Sequence, residues 1–568
     1  MLKINNFLKS NKGLYTIIAL LSAIAFISIY GTKILNPTYV DWLFQNEDLT
    51  QHYLGWRAFR ESAWHFPIGM IDTLAYPNLT SIIFTDSIPI MAIFFKMISA
   101  FLPSNFQYFG FWGILCFILQ GILTAKIVKK YTNNNIAIIL FSILLTFTPA
   151  MIFRMYYHSA LAGQWVILLG LNIIFNHKDY SSAKKAHIYI ALLGALSAFI
   201  HIYFVLMNGI ILIGFCILNF LNKKHIKEII YYLVTYLMAA TASTALLGGF
   251  YSGTIMSDLG LGKYSLNLNS FFNPIGWSCI IPPLPLYNDL QYEGFAYLGI
   301  GAIILLVLSL IWLIKFYDLK KLFFNNWRKI VSLFIIMLIS LIMALSPTIS
   351  FFSHSISIPI PNIITKLWGI FRASGRISWP IIYIIEISSF IIISKKITGT
   401  KKLIAIALVI LAIQVFDLHK TTTNIYDEFN DKKTYVTELK NVEFWDTIAK
   451  NKTIEHIAMG ALPTRTFLFS LTDWALTNDK TLNNFYFARE LSDDMLLEGN
   501  MAFVEVPENY IFIFPRINQK GALFIPLYYE LECNLHYYLI DDTLIGYVNE
   551  IDGFTEIHEC DFANFIEK

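Results

Sequence analysis

Charge is scarce in this chain: 14% of its 568 residues are Asp, Glu, Lys or Arg, against 56% hydrophobic and 16% aromatic. A soluble domain carries charge on about a quarter of its residues, so the scarcity excludes a soluble globular protein. The positive excess is small too, a formal net charge of +3 with the lysines mostly in short clusters between apolar runs. Such clusters read as topology signals and argue against a nucleic-acid partner. Cysteine is sparse, with five residues and no CxxC or other metal-ligand spacing. Cys116 and Cys216 fall in apolar runs, whereas Cys279, Cys533 and Cys560 lie outside them. A Cys533–Cys560 disulfide in an extracytoplasmic tail and two free thiols are equally open readings. Internal repeats, low-complexity linkers and inverted pairs of broken helices of the transporter kind are missing.

What is abundant is apolar sequence of membrane-spanning length, and the mean hydropathy is +0.56. The first run, about 14–32, follows the basic segment MLKINNFLKSNKG and lacks a small-residue cleavage site, which predicts a retained signal anchor with a cytoplasmic N-terminus. Further runs at 82–102, 106–127, 135–152, 160–176, 187–221 (a hairpin of two), 229–250, 295–315, 329–347, 379–395 and 402–416 give 11 or 12 helices. Basic loops beginning near 126, 177, 222, 315 and 395 are assigned to the cytoplasm. Parity then demands that one of the two segments between 82 and 127 not cross, and 82–102, with Pro89 and Pro103, is the weaker, a re-entrant or short-hairpin candidate. The expected architecture is an α-helical polytopic membrane protein over 1–416, with a first outer loop at 33–81. A soluble extracytoplasmic α/β domain is expected over 417–568, where short apolar runs (FVEV, YIFIF, YYLI) alternate with helix-like stretches such as NVEFWDTIAK.

The polar residues gather in the outer loops. Drawn as a helix at about 100° per residue, NEDLTQHYLGWRAFRESAW places Asp48, Gln51, His52 and Gly55 on one strip, and Leu49, Tyr53 and Trp56 beside it. Arg57 and Glu61 pair at i, i+4 on the far side. This predicts an amphipathic helix in the outer interface, anchored by Trp and Tyr, which either caps the bundle or presents its strip to a polar partner. The same loop adds His65 and Asp72, and Asp86 stands at the lip of the next apolar run as a cavity carboxylate or a helix N-cap.

Arg154 and His158 follow a helix end in IFRMYYHSALAGQW, and Arg372 and Arg376 precede another in LWGIFRASGRISWP. Four-residue spacing predicts that the latter two stack as a fork for a phosphate or diphosphate head group, with headgroup snorkelling as the alternative. His201 is expected to face outside as a satisfied core histidine. The Asn-, Gly- and aromatic-rich loop KYSLNLNSFFNPIGWSCIIPPLPLYNDLQYEGFAYLG suits either a sugar-sized ligand or a packed lid, with Glu293 its best candidate for an inward carboxylate.

The segments EDLTQHYLGWRAFRESAWHFPIG, TDSIP, RMYYHSALAGQW, NSFFNPIGW, QYEGFAYLG and FRASGRISWP resemble a group of uncharacterised bacterial membrane proteins. Together with the acidic first outer loop and the dozen-helix plan, they resemble the membrane glycosyltransferases of the C-fold class (GT-C). The resemblance implies sugar transfer from a polyprenyl-phosphate donor to a cell-surface glycan, lipid or protein, on the outer face of a bacterial cytoplasmic membrane. It implies that Asp48, or its neighbour Glu47, acts as general base or helps hold a divalent cation such as magnesium or manganese. A clean Asp-Asp or Asp-x-Asp pair is missing. The other substrate-side candidates are Gln51, His52, Arg57, Asp86, Arg154, His158, Glu293, Arg372 and Arg376. Rival readings are a lipid-linked glycan translocator, a non-catalytic scaffold and a polymerase of lipid-linked repeats. The apolar runs hold few charges for a translocator, chiefly Lys96, Glu386 and Asp417.

Overall fold

The computed structural model describes residues 10–251, 260–397, 399–431, 434–514 and 535–557. Cys533 and Cys560 lie outside them, and so does the question of their pairing. The chain is mostly helical, and among the described residues eight helices are long and apolar enough to cross a membrane. They are Asn11–Tyr30, Phe109–Val128, Ala183–Ile200, Ile202–Leu221, Ile226–Leu246, Leu319–Leu345, Ser374–Lys396 (its first turn 3-10) and Thr400–Asn430. Three more are apolar but shorter: Asn135–Thr146, Ser159–Phe175 and Ile300–Phe316.

The expected hairpin at 187–221 is present, broken at His201, whose extended backbone ends one helix and whose ring accepts the amide of Tyr203 to start the next. The run at 135–152 is cut because Pro149 restarts the chain as a separate helix, Pro149–Arg154. The segment 82–102 holds only a nine-residue helix, Pro89–Met97, too short to span. Its Lys96 is buried, donates to the carbonyls of Ser62 and Ala63, and lies over the rings of Phe59 and Trp64.

Two compact units divide the chain, and neither follows the boundary expected at 416, which falls inside the helix Thr400–Asn430. One unit, the bundle, comprises Met1–Tyr39, Gln107–Ser243 and Met256–Lys432. The other joins Val40–Phe106 and Thr244–Ile255 to Lys433–Lys568, so the first outer loop folds with the C-terminal region. The second unit is built on a five-stranded sheet. Its strands, in order across the sheet, are Thr481–Leu482, His456–Met459, Tyr510–Phe514, Thr543–Tyr547 and His536–Ile540. The first three run parallel, with Ile457 opposite Leu482 and Ile511, and the last two add antiparallel, with Ile545 opposite Ile513 and Tyr538. YIFIF and YYLI are strands as expected. FVEV instead sits on a short helix, Ala502–Glu505, closed by Val506 in the left-handed region, and Phe503 fills the core against Phe512 and Phe514. The first loop is tied to this sheet by the Leu482 amide to Thr73 and the Tyr76 amide to Leu482, with Tyr76 stacked on His456 at 3.9 Å.

Candidate functional site

In the second unit, the segment of the first loop expected to be helical is so, over Glu47–Glu61. Asn46 caps it by accepting the Leu49 amide at 2.8 Å, and Glu47 and Asp48 in the first turn complement the helix dipole. The expected interfacial position is corrected. Ten of its fifteen residues are buried, Trp56 is fully enclosed with its indole donating to the Phe106 carbonyl, and the helix packs on Arg465–Thr477. A helix whose aromatic face is used up by protein has none left for a membrane surface. Gln51 donates to the Tyr486 carbonyl at 2.6 Å, and Arg57 is held by Asp473 and by Glu61, so both act inside the unit. Asp48 is half-buried and Glu47 exposed.

The buried strip rests on TDSIP. Gly55 permits this, since a Cβ there would meet the Thr85 Cβ at 2.3 Å, and Ser87 donates to the His52 carbonyl at 2.7 Å. Asp86 does not cap the following helix, which begins at Pro89 with Ile88 as its cap and no side-chain bond. Instead Asp86 and Ile88 both adopt left-handed backbone, at φ 52° and 53°. For a β-branched residue that conformation costs about 1–3 kcal/mol and persists only where surrounding structure imposes it. The outcome is that His52 and Asp86 bring donor atoms within 4.8 Å of one another.

In the bundle, a different set converges. Glu293 Oε2 accepts from Arg154 Nη2 at 2.6 Å and from Arg376 Nε at 2.7 Å, and His158 Nε2 stands 3.7 Å from Oε1. Arg154, Glu293 and Arg376 are 1%, 4% and 8% exposed, so this is a buried ionic centre. The backbones meet first: a Cβ on Gly375 would lie 2.5 Å from the Gly294 Cα, and these glycines are what let QYEGF and SGRIS touch. The Arg376 guanidinium lies over the Tyr203 ring at 5.1 Å, and the Tyr203 hydroxyl accepts the Ala373 amide at 3.0 Å. Arg154 sits over Phe153 at 4.6 Å, and its Nε is buried with no acceptor among the described residues. Burial alone raises the Glu293 carboxyl, but Arg154, Arg376 and His158 outweigh it and hold it well below the usual carboxylate range.

The expected Arg372–Arg376 fork does not form. Arg376 lies in the 3-10 turn Ser374–Ser378, whereas Arg372 is exposed on the preceding connector after the helix Asn362–Gly369. Without one continuous helix, four-residue spacing gives no common face. The loop ahead of Glu293 is a packed lid: Asn267, Asn269, Asn273 and Gln291 are buried, and they bond Gln291 and Phe352, Pro285, Leu284, and Ser265 respectively. Sequence reasoning found Glu293, Arg154, His158 and Arg376 but missed Tyr203 and the paired glycines. The signals for these were the aromatic two residues after His201 and the EG and SG dipeptides.

Fold and centre together define a polytopic helical membrane protein with a buried ionic centre in its helical bundle. The chain belongs to the family described as a domain of unknown function (DUF6311), whose model matches residues 19–419. The site residues expected from the sequence all fall within that span, and the C-terminal sheet, with Asp473 and Tyr486, falls outside it. No curated protein matches the chain.

Proposed function

We propose that the protein is an integral-membrane glycosyltransferase that moves a sugar from a polyprenyl-phosphate carrier to a cell-surface acceptor at the outer face of the bacterial cytoplasmic membrane. The observation that carries this reading is the Glu293 centre, in which two guanidiniums and an imidazole surround one carboxylate in a helical bundle. Charges buried in such a protein are costly and are characteristic of function. Counting the three shorter apolar helices gives eleven crossings, and the loss of 82–102 as a span removes the parity conflict in the basic-loop assignment. On that assignment Arg154, His158, Glu293, Arg372 and Arg376, together with the sheet-bearing unit, are extracytoplasmic.

In this mechanism the acceptor hydroxyl attacks the anomeric carbon, Asp48 takes its proton, and the bond to the phosphate oxygen breaks so that polyprenyl phosphate leaves with the electron pair. Within the bundle, the Glu293 centre holds its own elements rigid, and the exposed Arg372 is the cation available to a phosphate. His52 and Asp86 are the donors a divalent cation would take. An imidazole favours manganese over magnesium there, since magnesium prefers oxygen ligands. One observation favours the translocator instead: Glu386, 2% exposed inside a spanning helix, has an Oε2 without a partner among the described residues.

The deciding experiment uses proteoliposomes supplied with polyprenyl-phosphate-linked sugar. Asp48→Asn abolishes transfer while the protein remains folded and inserted. Undiminished turnover in that variant removes Asp48 as the base, and translocation without transfer by the wild type selects the rival.

A further inference from the structure

The other end of the bundle carries a second set of cations with a different design. Phe109–Val128, Trp165–Phe175 and Ile202–Leu221 end together there, and Leu319–Leu345 begins. Between them opens a cavity of about 730 Å³. Lys130, Lys178, Arg328 and Lys329 line it, against the single carboxylate Asp179, which pairs with Lys130 at 3.1 Å. Lys329 is committed to neutral acceptors, the Phe175 carbonyl at 2.8 Å and the Tyr131 hydroxyl at 3.0 Å. Arg328 donates to the Asn222 amide oxygen at 3.0 Å. Among the described residues no carboxylate pairs with Lys178, Arg328 or Lys329. The concentration of charge is felt by His177, whose imidazole is pushed below its ordinary range by burial and then by Lys329 and Lys178.

Helix C-termini attract cations, and Lys329 at Phe175 is accounted for in that way. Lys178 and Arg328 are not, because neither bonds a terminal carbonyl among the described residues. The cavity is also amphiphilic at its rim. Phe324 lines it and is 74% exposed, at the start of a spanning helix whose apolar surface lies mostly open. A cation-lined hollow beside a lipid-facing aromatic matches a phosphate that carries acyl chains: the head group enters among the cations and the chains lie along Phe324 and the helix above it. On the basic-loop assignment this hollow faces the cytoplasm.

We infer that the cavity among Lys130, Lys178, Arg328 and Lys329 is a binding site for the phosphate head group of an anionic phospholipid, separate from the Glu293 centre.

Native mass spectrometry of the full chain tests this with phosphatidylglycerol, phosphatidylcholine and inorganic phosphate as probes. The wild type retains phosphatidylglycerol over phosphatidylcholine. Lys178→Gln with Arg328→Gln lowers that preference on the order of tenfold or more, as expected on removing two head-group cations. The charge-conserving pair Lys178→Arg with Arg328→Lys keeps it, which separates charge from any loss of fold. Binding of inorganic phosphate with the same dependence on these two residues, and no lipid preference, assigns the site to a soluble phosphate compound. Equal lipid retention by the wild type and the Gln pair, or no binding of either phosphate probe by the wild type, overturns the proposal.

Discussion

The two ends of the helical bundle hold similar side chains and use them in opposite ways. At one end Arg154 and Arg376 converge on Glu293, all nearly sealed, with aromatic rings against both guanidiniums. At the other, Arg328 and Lys178 stand around an open hollow, and the bonds that Arg328 and Lys329 make there go to neutral oxygens. A sealed ion pair repays the desolvation of its charges only through tight mutual geometry, so its members cannot be lost singly. Cations around a solvated hollow keep their hydration and are available to a ligand. Burial rather than residue type therefore separates a fixed centre from a receptive one.

The largest effect belongs to the sealed end. Glu293→Ala leaves two buried guanidiniums facing each other and is expected to cost on the order of 3–5 kcal/mol, read as a lowered melting temperature in detergent. Glu293→Met combined with Arg154→Met and Arg376→Met recovers much of that stability, because an apolar set of similar volume carries no buried charge. Transfer activity stays lost in the triple variant if the centre is functional, and full activity there would reduce it to a structural clasp.

Next in size is Gly55→Ala in the second unit. Its methyl group would collide with Thr85, and displacing the TDSIP backbone costs about 1–3 kcal/mol, visible as a lower unfolding midpoint. Lys96 gives an effect that depends on pH. Burial lowers its ammonium to about 8, partly offset by Asp72. Between about 8 and 10.5 the unfolded lysine binds the proton and the folded one does not, so raising the pH through that window stabilises the second unit. Lys96→Met flattens this rise, and an unchanged slope would mean the burial is not felt. Smallest is Tyr203→Phe, which removes one bond to the Ala373 amide for roughly 1 kcal/mol.

Much of this architecture was legible in the chain because membrane-spanning runs are long and uniform. The hairpin broken at His201 followed from run length, and the helix Glu47–Glu61 from its polar strip beside an aromatic face, whereas its Asn46 cap emerged only with the structure. The interior role of Glu293 was legible from the rarity of carboxylates in its loop. What sequence could not give was partnership. The Arg57–Glu61 pair appeared because its spacing is helical, whereas Asp473, the other partner of Arg57, lies 416 residues away. The Arg372–Arg376 fork failed for the converse reason, since spacing implies a shared face only within one helix. The first loop was assigned to the bundle, yet its backbone bonds at Thr73 and Tyr76 bind it to the Leu482 strand, and long-range pairing leaves no trace in local periodicity.

The central claim is the proposed sugar transfer, and release of polyprenyl phosphate tests it most directly. Wild-type chain in proteoliposomes, given polyprenyl-phosphate-linked sugar carrying a label in the lipid phosphate together with acceptor membranes, should release labelled polyprenyl phosphate as the sugar is transferred. Asp48→Asn should release none. Intact donor after incubation with folded wild-type protein across a panel of hexosyl and pentosyl donors would contradict the account.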